Sequence, residues 1–232
     1  MRVDVFVTCL ADTLFPSVGT ATVRLLERLG HDVRFTEAAT CCGQMHLNSG
    51  YRAQASKIAG AFADAYRGSK SEAIVVPSGS CAGALRHHTP HLGVSLDDCP
   101  PVYELSEFLV DVLGVSDVGA TYEGRATYHP TCHSLRLLGV GDRPQRLLSH
   151  VRGLELVELP ASDSCCGFGG TFALKNAHVS SSMGADKAAA VRDTGARTLI
   201  AGDASCLMHI GGFLDKQRAG VKVVHLAEVL AS

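Results

Sequence analysis

The chain has 232 residues, of which 46% are hydrophobic, and its formal charge is −2. This length and hydrophobic content are enough to bury one or two cores without stabilising disulfides or structural metal ions. Nucleic acid is not expected as a main partner, because phosphate binding calls for a clustered Lys/Arg face and the sequence contains no basic run. No stretch reaches the roughly 20 apolar residues that a membrane-spanning helix needs.

The first residues predict a short strand, with Val3, Val5 and Val7 on one face, rather than a secretory signal peptide. We therefore expect a cytoplasmic protein whose thiols stay reduced. In that compartment, cysteines serve as metal ligands or redox groups more often than as structural disulfides.

Strands and amphipathic helices alternate along the first half of the chain. The predicted elements are a strand at VDVFVTC, a helix that includes Val18 to Leu29, a strand at HDVRFTEA, a helix from about Asn48 to Tyr66, a strand at EAIVVPS, and the closing segment VYELSEFL. Such alternation predicts right-handed crossovers and mostly parallel sheets covered by helices.

The second half repeats this order. Its predicted elements are a strand at RATYHPTC, a helix over Arg143 to His150, a strand at LELVELP, a helix over Val179 to Arg192, a strand at RTLIAGD, and the closing segment VVHLAEVL. The turn-rich segment from Ser116 to Gly124 is the expected join. We predict an α/β fold of two tandem, pseudo-symmetric Rossmann-like units, a first half of residues 1–118 and a second half of residues 119–232.

Eight of the nine cysteines form two copies of one pattern. In the first copy, 31 residues separate Cys9 from the pair Cys41-Cys42, and 38 more precede Cys81. The second copy consists of Cys132, the pair Cys165-Cys166 and Cys206, with intervals of 32 and 39 residues. Only Cys99 lies outside the repeat, and a glycine follows each pair.

Each repeated cysteine follows a predicted strand directly or within a few residues. The loops after parallel strands gather at one edge of a sheet, so four thiols should converge in each half. Four thiolates suit either an iron–sulfur cluster or a structural zinc ion. Zinc sites favour C-x2-4-C pairs, which are missing here, whereas adjacent cysteines fit a cluster with several metal corners; iron–sulfur is therefore the preferred interpretation and zinc the alternative.

Two Cys-Cys-Gly motifs with these flanking cysteines resemble the cysteine-rich CCG domain found in heterodisulfide reductase and in the iron–sulfur subunits of glycolate and anaerobic glycerol-3-phosphate oxidases. HPTCHSLR and CCGFGGTF, in a short chain with no appended ferredoxin domain, are similar to the lactate utilization protein A family. The resemblance implies [4Fe-4S] clusters, one or two per chain, held by Cys9, Cys41, Cys42 and Cys81 and by Cys132, Cys165, Cys166 and Cys206.

One position departs from the heterodisulfide reductase pattern, which ends in Cys-x-x-Cys. Ser78 and Asp203 stand where that pattern has its first cysteine, so each half offers four cysteines instead of five. This favours an ordinary cluster over one that attacks a disulfide. Both side chains are expected to cap the helix that follows them, and the alternative is a hydrogen bond to a cluster thiolate, directly or through water.

Two histidines, His129 and His133, flank Cys132 and are the candidate catalytic residues. The ordinary expectation is a hydrogen-bonded structural role, and the alternative is a proton carrier or a donor to cluster sulfur.

The resemblance implies an iron–sulfur electron-transfer subunit of a multi-protein oxidoreductase that converts L-lactate to pyruvate. Its implied partners are a ferredoxin-domain iron–sulfur protein and a further small subunit, because the sequence carries no flavin or nicotinamide fingerprint of its own. The rival hypotheses are a zinc-stabilised scaffold module and a thiol-disulfide reductase subunit.

Overall fold

The computed structural model describes residues 1–232 and consists of two halves, each built on a four-stranded sheet in which every strand pair is parallel. The first sheet has the order β2-β1-β3-β4 and the second the order β6-β5-β7-β8. The strands are β1 Arg2–Val5, β2 Asp32–Phe35, β3 Ala73–Val76, β4 Val102–Glu104, β5 Thr121–His129, β6 Arg152–Val157, β7 Thr198–Ala201 and β8 Lys222–His225. This confirms the predicted fold of two similar α/β units.

Helices connect consecutive strands and cover both sheets. In the first half they are α1 Cys9–Leu14, α2 Pro16–Arg28, α3 Gln44–Asn48, α4 Arg52–Tyr66, α5 Gly79–Gly83 and α6 Leu105–Glu107. In the second half they are α7 Arg143–Ser149, α8 Phe172–Lys175, α9 Ala177–Asp193, α10 Ala204–Lys216 and α11 Leu226–Ala231. Three π-helical segments, Ala84–His88, Phe108–Val112 and His133–Leu138, and a 3-10 turn, Pro90–Leu92, complete the set. None of these helices offers an apolar stretch that would span a lipid bilayer.

The repeat extends to the inward faces of corresponding helices. The buried residues of α4 are Ala55, Ala59, Phe62, Ala63 and Tyr66, and those of α9 are Ser180, Gly184, Lys187, Ala188 and Val191. The two sets match one by one at a constant offset, so each position in α4 has an identified counterpart in α9. Side-chain differences between the halves can therefore be compared position by position.

Two boundaries differ from the sequence prediction. The helix expected from about Asn48 to Tyr66 is interrupted, because Gly50 takes a φ of 83° and ends α3 before α4 begins at Arg52. The expected join overlaps β5, which already begins at Thr121 and contains a register shift before Gly124, where φ is 119°. A glycine that predicts a turn can instead lie at a β-bulge inside a strand.

The largest core is shared by the two halves. A cluster of 23 buried residues includes Val3, Val5 and Leu25 from the first half together with residues of β5, β7 and α11 from the second. The C-terminal helix α11 packs against α2, and Arg28 of α2 donates a hydrogen bond to the carbonyl of Ala231, 3.3 Å away. Each half therefore contributes to the same buried apolar volume.

A second junction lies close to the cysteines, where α5 packs on the π-helical segment His133–Leu138 of the other half. A Cβ atom built at Gly79 would lie 1.8 Å from Oγ of Ser134, and one at Gly83 would lie 2.8 Å from Cδ2 of Leu137. Both distances are far below van der Waals contact. Only glycine allows the two helical segments to come this close.

We expect Gly79→Ala to lower the free energy of unfolding by about 1–3 kcal/mol, because the added methyl group must push the two halves apart. Gly60→Ala is the matched control: Gly60 lies inside α4 with open space at its Cβ position, and alanine there should stabilise the helix by up to about 1 kcal/mol. Chemical denaturation of both variants tests this. Equal stabilities would contradict the close packing at Gly79.

The short helix α6 begins with a reciprocal capping box built on a buried carboxyl group. Glu104 accepts hydrogen bonds from the backbone N–H groups of Ser106, at 2.7 Å, and Glu107, at 3.2 Å, while the Glu107 side chain accepts one from the N–H of Glu104. His225 and Glu228 form the corresponding box at α11. Burial raises the pKa of Glu104 from its ordinary 4.5 to about 7.

This raised pKa predicts a specific dependence of stability on pH. A group that holds its proton more tightly in the folded state contributes stability that is complete below pH 4.5 and is lost as the pH rises through 7. Glu104→Gln keeps an oxygen acceptor but cannot ionise. The natural protein should therefore lose up to about 3 kcal/mol relative to this variant between pH 5 and pH 8. Denaturation curves that respond identically to pH would contradict this assignment.

Candidate metal centre

Four cysteines of the first half meet at the carboxyl ends of its strands. Cys9 begins α1 just after β1, Cys41 and Cys42 lie in the loop after β2, and Cys81 lies in α5 after β3. The Sγ atoms of Cys42 and Cys81 are 3.1 Å apart. We call these four residues the first cysteine set.

The second half repeats the arrangement. Cys132 follows β5, Cys165 and Cys166 lie in the loop after β6, and Cys206 lies in α10 after β7. The Sγ atoms of Cys166 and Cys206 are 3.3 Å apart. These four residues are the second cysteine set, and the structure thus brings together the groups of residues that the sequence predicted to converge.

A glycine shapes each Cys-Cys loop. Gly43 and Gly167 have φ values of 79° and 92° and donate their backbone N–H groups to Sγ of Cys41 and Cys165, both at 3.4 Å. A Cβ atom at Gly167 would lie 2.8 Å from the carbonyl oxygen of Ser180. Glycine is therefore required by the left-handed backbone and, at Gly167, by the close approach of α9 as well.

The thiols of each set share protons unequally. Hydrogen bonds from Cys42 and Cys9 lower the pKa of Cys41 to about 2, and the opposite effect raises the pKa of Cys9. Hydrogen bonds from Cys132 and Cys166 likewise lower the pKa of Cys165 to about 2. A metal bound to either set would displace the protons of the donor thiols.

Both sets open into one cleft between the halves. All eight cysteines line this cleft, together with the apolar side chains of Leu10, Met45 and Phe168. Cys99 lies elsewhere: its Sγ donates to the carbonyl of Ala63 at 3.5 Å, and it packs at the edge of the first half's own core. Cys99, which lies outside the cysteine repeat of the sequence, therefore also lies outside the cleft.

Ser78 and Asp203 have different roles. Ser78 caps α5 as expected, because its Oγ accepts a hydrogen bond from the N–H of Cys81 at 3.3 Å. The expectation that Asp203 caps α10 is wrong: its carboxylate makes no bond to that helix's first N–H groups. It accepts hydrogen bonds from the N–H of Ser80, at 3.0 Å, and the hydroxyl of Ser78, at 3.3 Å, in the other half. Asp203 therefore joins the halves beside the cleft.

The two candidate histidines lie on either side of Cys132. His133 lines the cleft, its Nε2 lies 3.1 Å from Nε2 of Gln44 in the first half, and its Nδ1 lies 3.7 Å from Sγ of Cys132. His129 is only 1% exposed, and neither of its ring nitrogens has a hydrogen-bond partner. Burial lowers the pKa of His129 to about 4, so its ring is neutral at pH 7.

A ring nitrogen of His129 and the Sγ atoms of Cys166 and Cys206 lie within 4.8 Å of one another, a spacing that allows all three to bind one metal ion. Lys187 is a further buried residue beside this site that the sequence did not predict: it is 2% exposed and donates a hydrogen bond to the carbonyl of Ala161 at 2.6 Å. Its only signal in the sequence was a lysine at an inward position of a predicted helix. Buried lysines are rare without a partner.

The CCG cysteine-rich domain profile matches this chain twice, at residues 3–86 and 126–211. Each match contains one complete cysteine set, so the duplication that the spacing predicted is also a duplication of a known domain.

Solved structures resemble the chain only weakly. A putative Asp/Glu racemase from Yersinia pestis covers the whole chain with a TM-score of 0.40 and 12% identity, over 96% of its own length. The glutamate racemase RacE1 from Bacillus anthracis covers 99% of the chain with a TM-score of 0.38 and 13% identity, over 78% of its own length. Similarity at this level carries no information about function.

Curated relatives match over their full length. The lactate utilization protein A of Bacillus subtilis is 48% identical over 100% of both chains. That of Oceanobacillus iheyensis is 47% identical over 99% of this chain and 96% of its own length, and that of Geobacillus kaustophilus is 48% identical over 99% and 98%. With two CCG domains and identity of this extent, the chain belongs to the lactate utilization protein A family.

Proposed function

We propose that each cysteine set holds an iron–sulfur cluster and that the protein transfers electrons as one subunit of a system that oxidises L-lactate to pyruvate. The observation that carries this proposal is the convergence of four thiols per half on one shared cleft. Lactate is suggested by the names of the relatives, which are called lactate utilization proteins.

The residues of each set fit a cluster. Four cysteines give one thiolate for each iron of a [4Fe-4S] cluster. The N–H groups of Gly43 and Gly167 already donate to cysteine sulfur, and such bonds stabilise the negative charge that thiolate ligands carry. A bound cluster would supply one-electron transfer, for which the cleft provides apolar surroundings in Met45 and Phe168.

Zinc is the second candidate, and one observation favours it. A ring nitrogen and two thiols within 4.8 Å, at His129, Cys166 and Cys206, also suit a single tetrahedral zinc ion. The chain would then be a zinc-stabilised scaffold for the other subunits. Colour and metal content separate the two functions, since clusters absorb broadly near 400 nm whereas zinc is colourless.

The proposed partners are those that the family resemblance implies, a ferredoxin-domain iron–sulfur protein and a further small subunit. Removing hydrogen from lactate requires an acceptor such as an organic cofactor or another redox centre. In this proposal the partner subunits contain the other redox centres that accept electrons from lactate.

We expect Cys42→Ser and Cys166→Ser each to remove about half of the iron from protein purified without oxygen, because each removes one ligand from one set. Cys99→Ser is the matched control and should keep all of it, since Cys99 lies outside the cleft. Iron and acid-labile sulfide, measured per chain, give the answer. Loss of iron from Cys99→Ser equal to that from Cys42→Ser would contradict the assignment of ligands.

The purified protein, loaded with iron and sulfide, is expected not to oxidise lactate until the partner subunits are added. The reason is that electron transfer is its proposed task, while the reaction with lactate needs the assembled system. Pyruvate formation with an artificial electron acceptor measures this. Turnover by the isolated chain at the rate of the complete mixture would overturn the proposal of a carrier subunit.

A further inference from the structure

The two cysteine sets are equivalent in their thiols but not in the residues behind them. Phe6 stands three residues before Cys9, directly after β1, and His129 stands three residues before Cys132, at the end of β5. Both are 1% exposed. A phenyl ring in one half is thus replaced by an imidazole in the other.

The neighbouring helix shows a matching replacement. Phe62 of α4 corresponds to Lys187 of α9, since the buried faces of these helices match residue for residue. In the first half the rings of Phe6 and Phe62 stack edge to face, with centroids 5.0 Å apart, and belong to one apolar cluster with Cys42 and Cys81. In the second half an imidazole and an ammonium group take the two corresponding positions.

Burying His129 and Lys187 where the first half has two phenyl rings lowers the free energy of unfolding unless a ligand compensates. The first half shows that an aromatic pair fills the space, whereas the second half buries two nitrogen-bearing side chains. Lys187 finds the carbonyl of Ala161, but both nitrogens of His129 remain without a partner. An unpaired buried polar group typically costs about 1–3 kcal/mol. A ring nitrogen of His129 lies within 4.8 Å of the Sγ atoms of Cys166 and Cys206, close enough to bind a metal that those thiols hold.

We propose that His129 takes the place of one of the four thiolates as a nitrogen ligand to the metal centre of the second cysteine set, with Lys187 as a buried positive charge beside it. The first set binds its metal through four thiolates alone. The inference rests on the proposed function only in requiring a metal at the second set. It makes the two centres chemically different.

The histidine and the lysine should both change the reduction potential of the second centre in the same direction. Imidazole binds as a neutral ligand, and a buried ammonium group offsets the negative charge of nearby thiolates, so both features favour the reduced state of the second centre. In His129→Phe the fourth thiolate of the set is free to take the vacated position, so the reduction potential of the second centre should fall while that of the first stays unchanged.

The test uses the full chain, purified without oxygen from cells that received ¹⁵N-labelled histidine. Pulsed electron paramagnetic resonance of the reduced protein should show a ¹⁵N coupling of the size found for directly bound imidazole, and His129→Phe should abolish it. His133→Gln is the control, since His133 lies near Cys132 but has Gln44 as its partner; the coupling should survive there.

A second variant distinguishes the loss of a nitrogen ligand from misfolding of the second half. In the double variant His129→Phe/Lys187→Phe the second half receives the aromatic pair that the first half already uses, so the core should stay filled. This protein should keep its fold by circular dichroism but lack the nitrogen coupling. Retention of the coupling in the double variant would overturn the inference.

The outcomes separate this inference from the proposed function. Iron and sulfide in the natural protein without any histidine coupling would overturn the inference and leave the iron–sulfur proposal standing. A colourless zinc protein would overturn the iron–sulfur proposal instead. Zinc-edge X-ray absorption then decides the inference: a nitrogen ligand that disappears in His129→Phe supports it, and sulfur-only coordination contradicts it.

Discussion

Parallel pairing of β1 with β2 and β3, repeated by β5 with β6 and β7, is the constraint on which the cleft depends. It brings the carboxyl ends of three strands to one edge of each sheet, and each of those ends leads into a cysteine. Residues more than thirty positions apart therefore meet without any local binding motif. The left-handed glycine after each cysteine pair then turns the loop so that its N–H reaches sulfur.

The second requirement is that the two halves pack together, because neither half encloses the cleft by itself. The shared core, the glycine contact between Gly79 and Ser134, and the bonds from Ser80 and Ser78 to Asp203 hold the two edges against each other. Asp203 stands at a position where a cysteine would be a fifth ligand in the heterodisulfide reductase pattern. Here that position holds the halves together instead of adding a thiol to the second set.

Much of this arrangement could be predicted from the sequence, because its causes are local or repeated. Alternating strands and helices predicted the sheets, and the matching intervals between cysteines predicted that they converge in two sets. Even the closing segments VYELSEFL and VVHLAEVL correspond, and each contains a capping box. The interruption at Gly50 was missed because periodicity continues across it.

The rest depends on contacts between residues that are distant in the chain, which no spacing reveals. The carboxylate of Asp203 has partners in the other half, so its capping role was mispredicted. The exchange of Phe6 and Phe62 for His129 and Lys187 is visible only once the fold shows that the members of each pair are neighbours behind the thiols. Each of those residues alone is an ordinary core or helix position.

Anomalous X-ray diffraction at the iron edge, from crystals grown without oxygen, locates the iron that the two cysteine sets are proposed to hold. Two iron peaks per chain are expected, one bounded by Cys9, Cys41, Cys42 and Cys81 and the other by Cys132, Cys165, Cys166 and Cys206. No iron at either set in protein purified without oxygen, or iron bound away from the shared cleft, is inconsistent with clusters at the two cysteine sets.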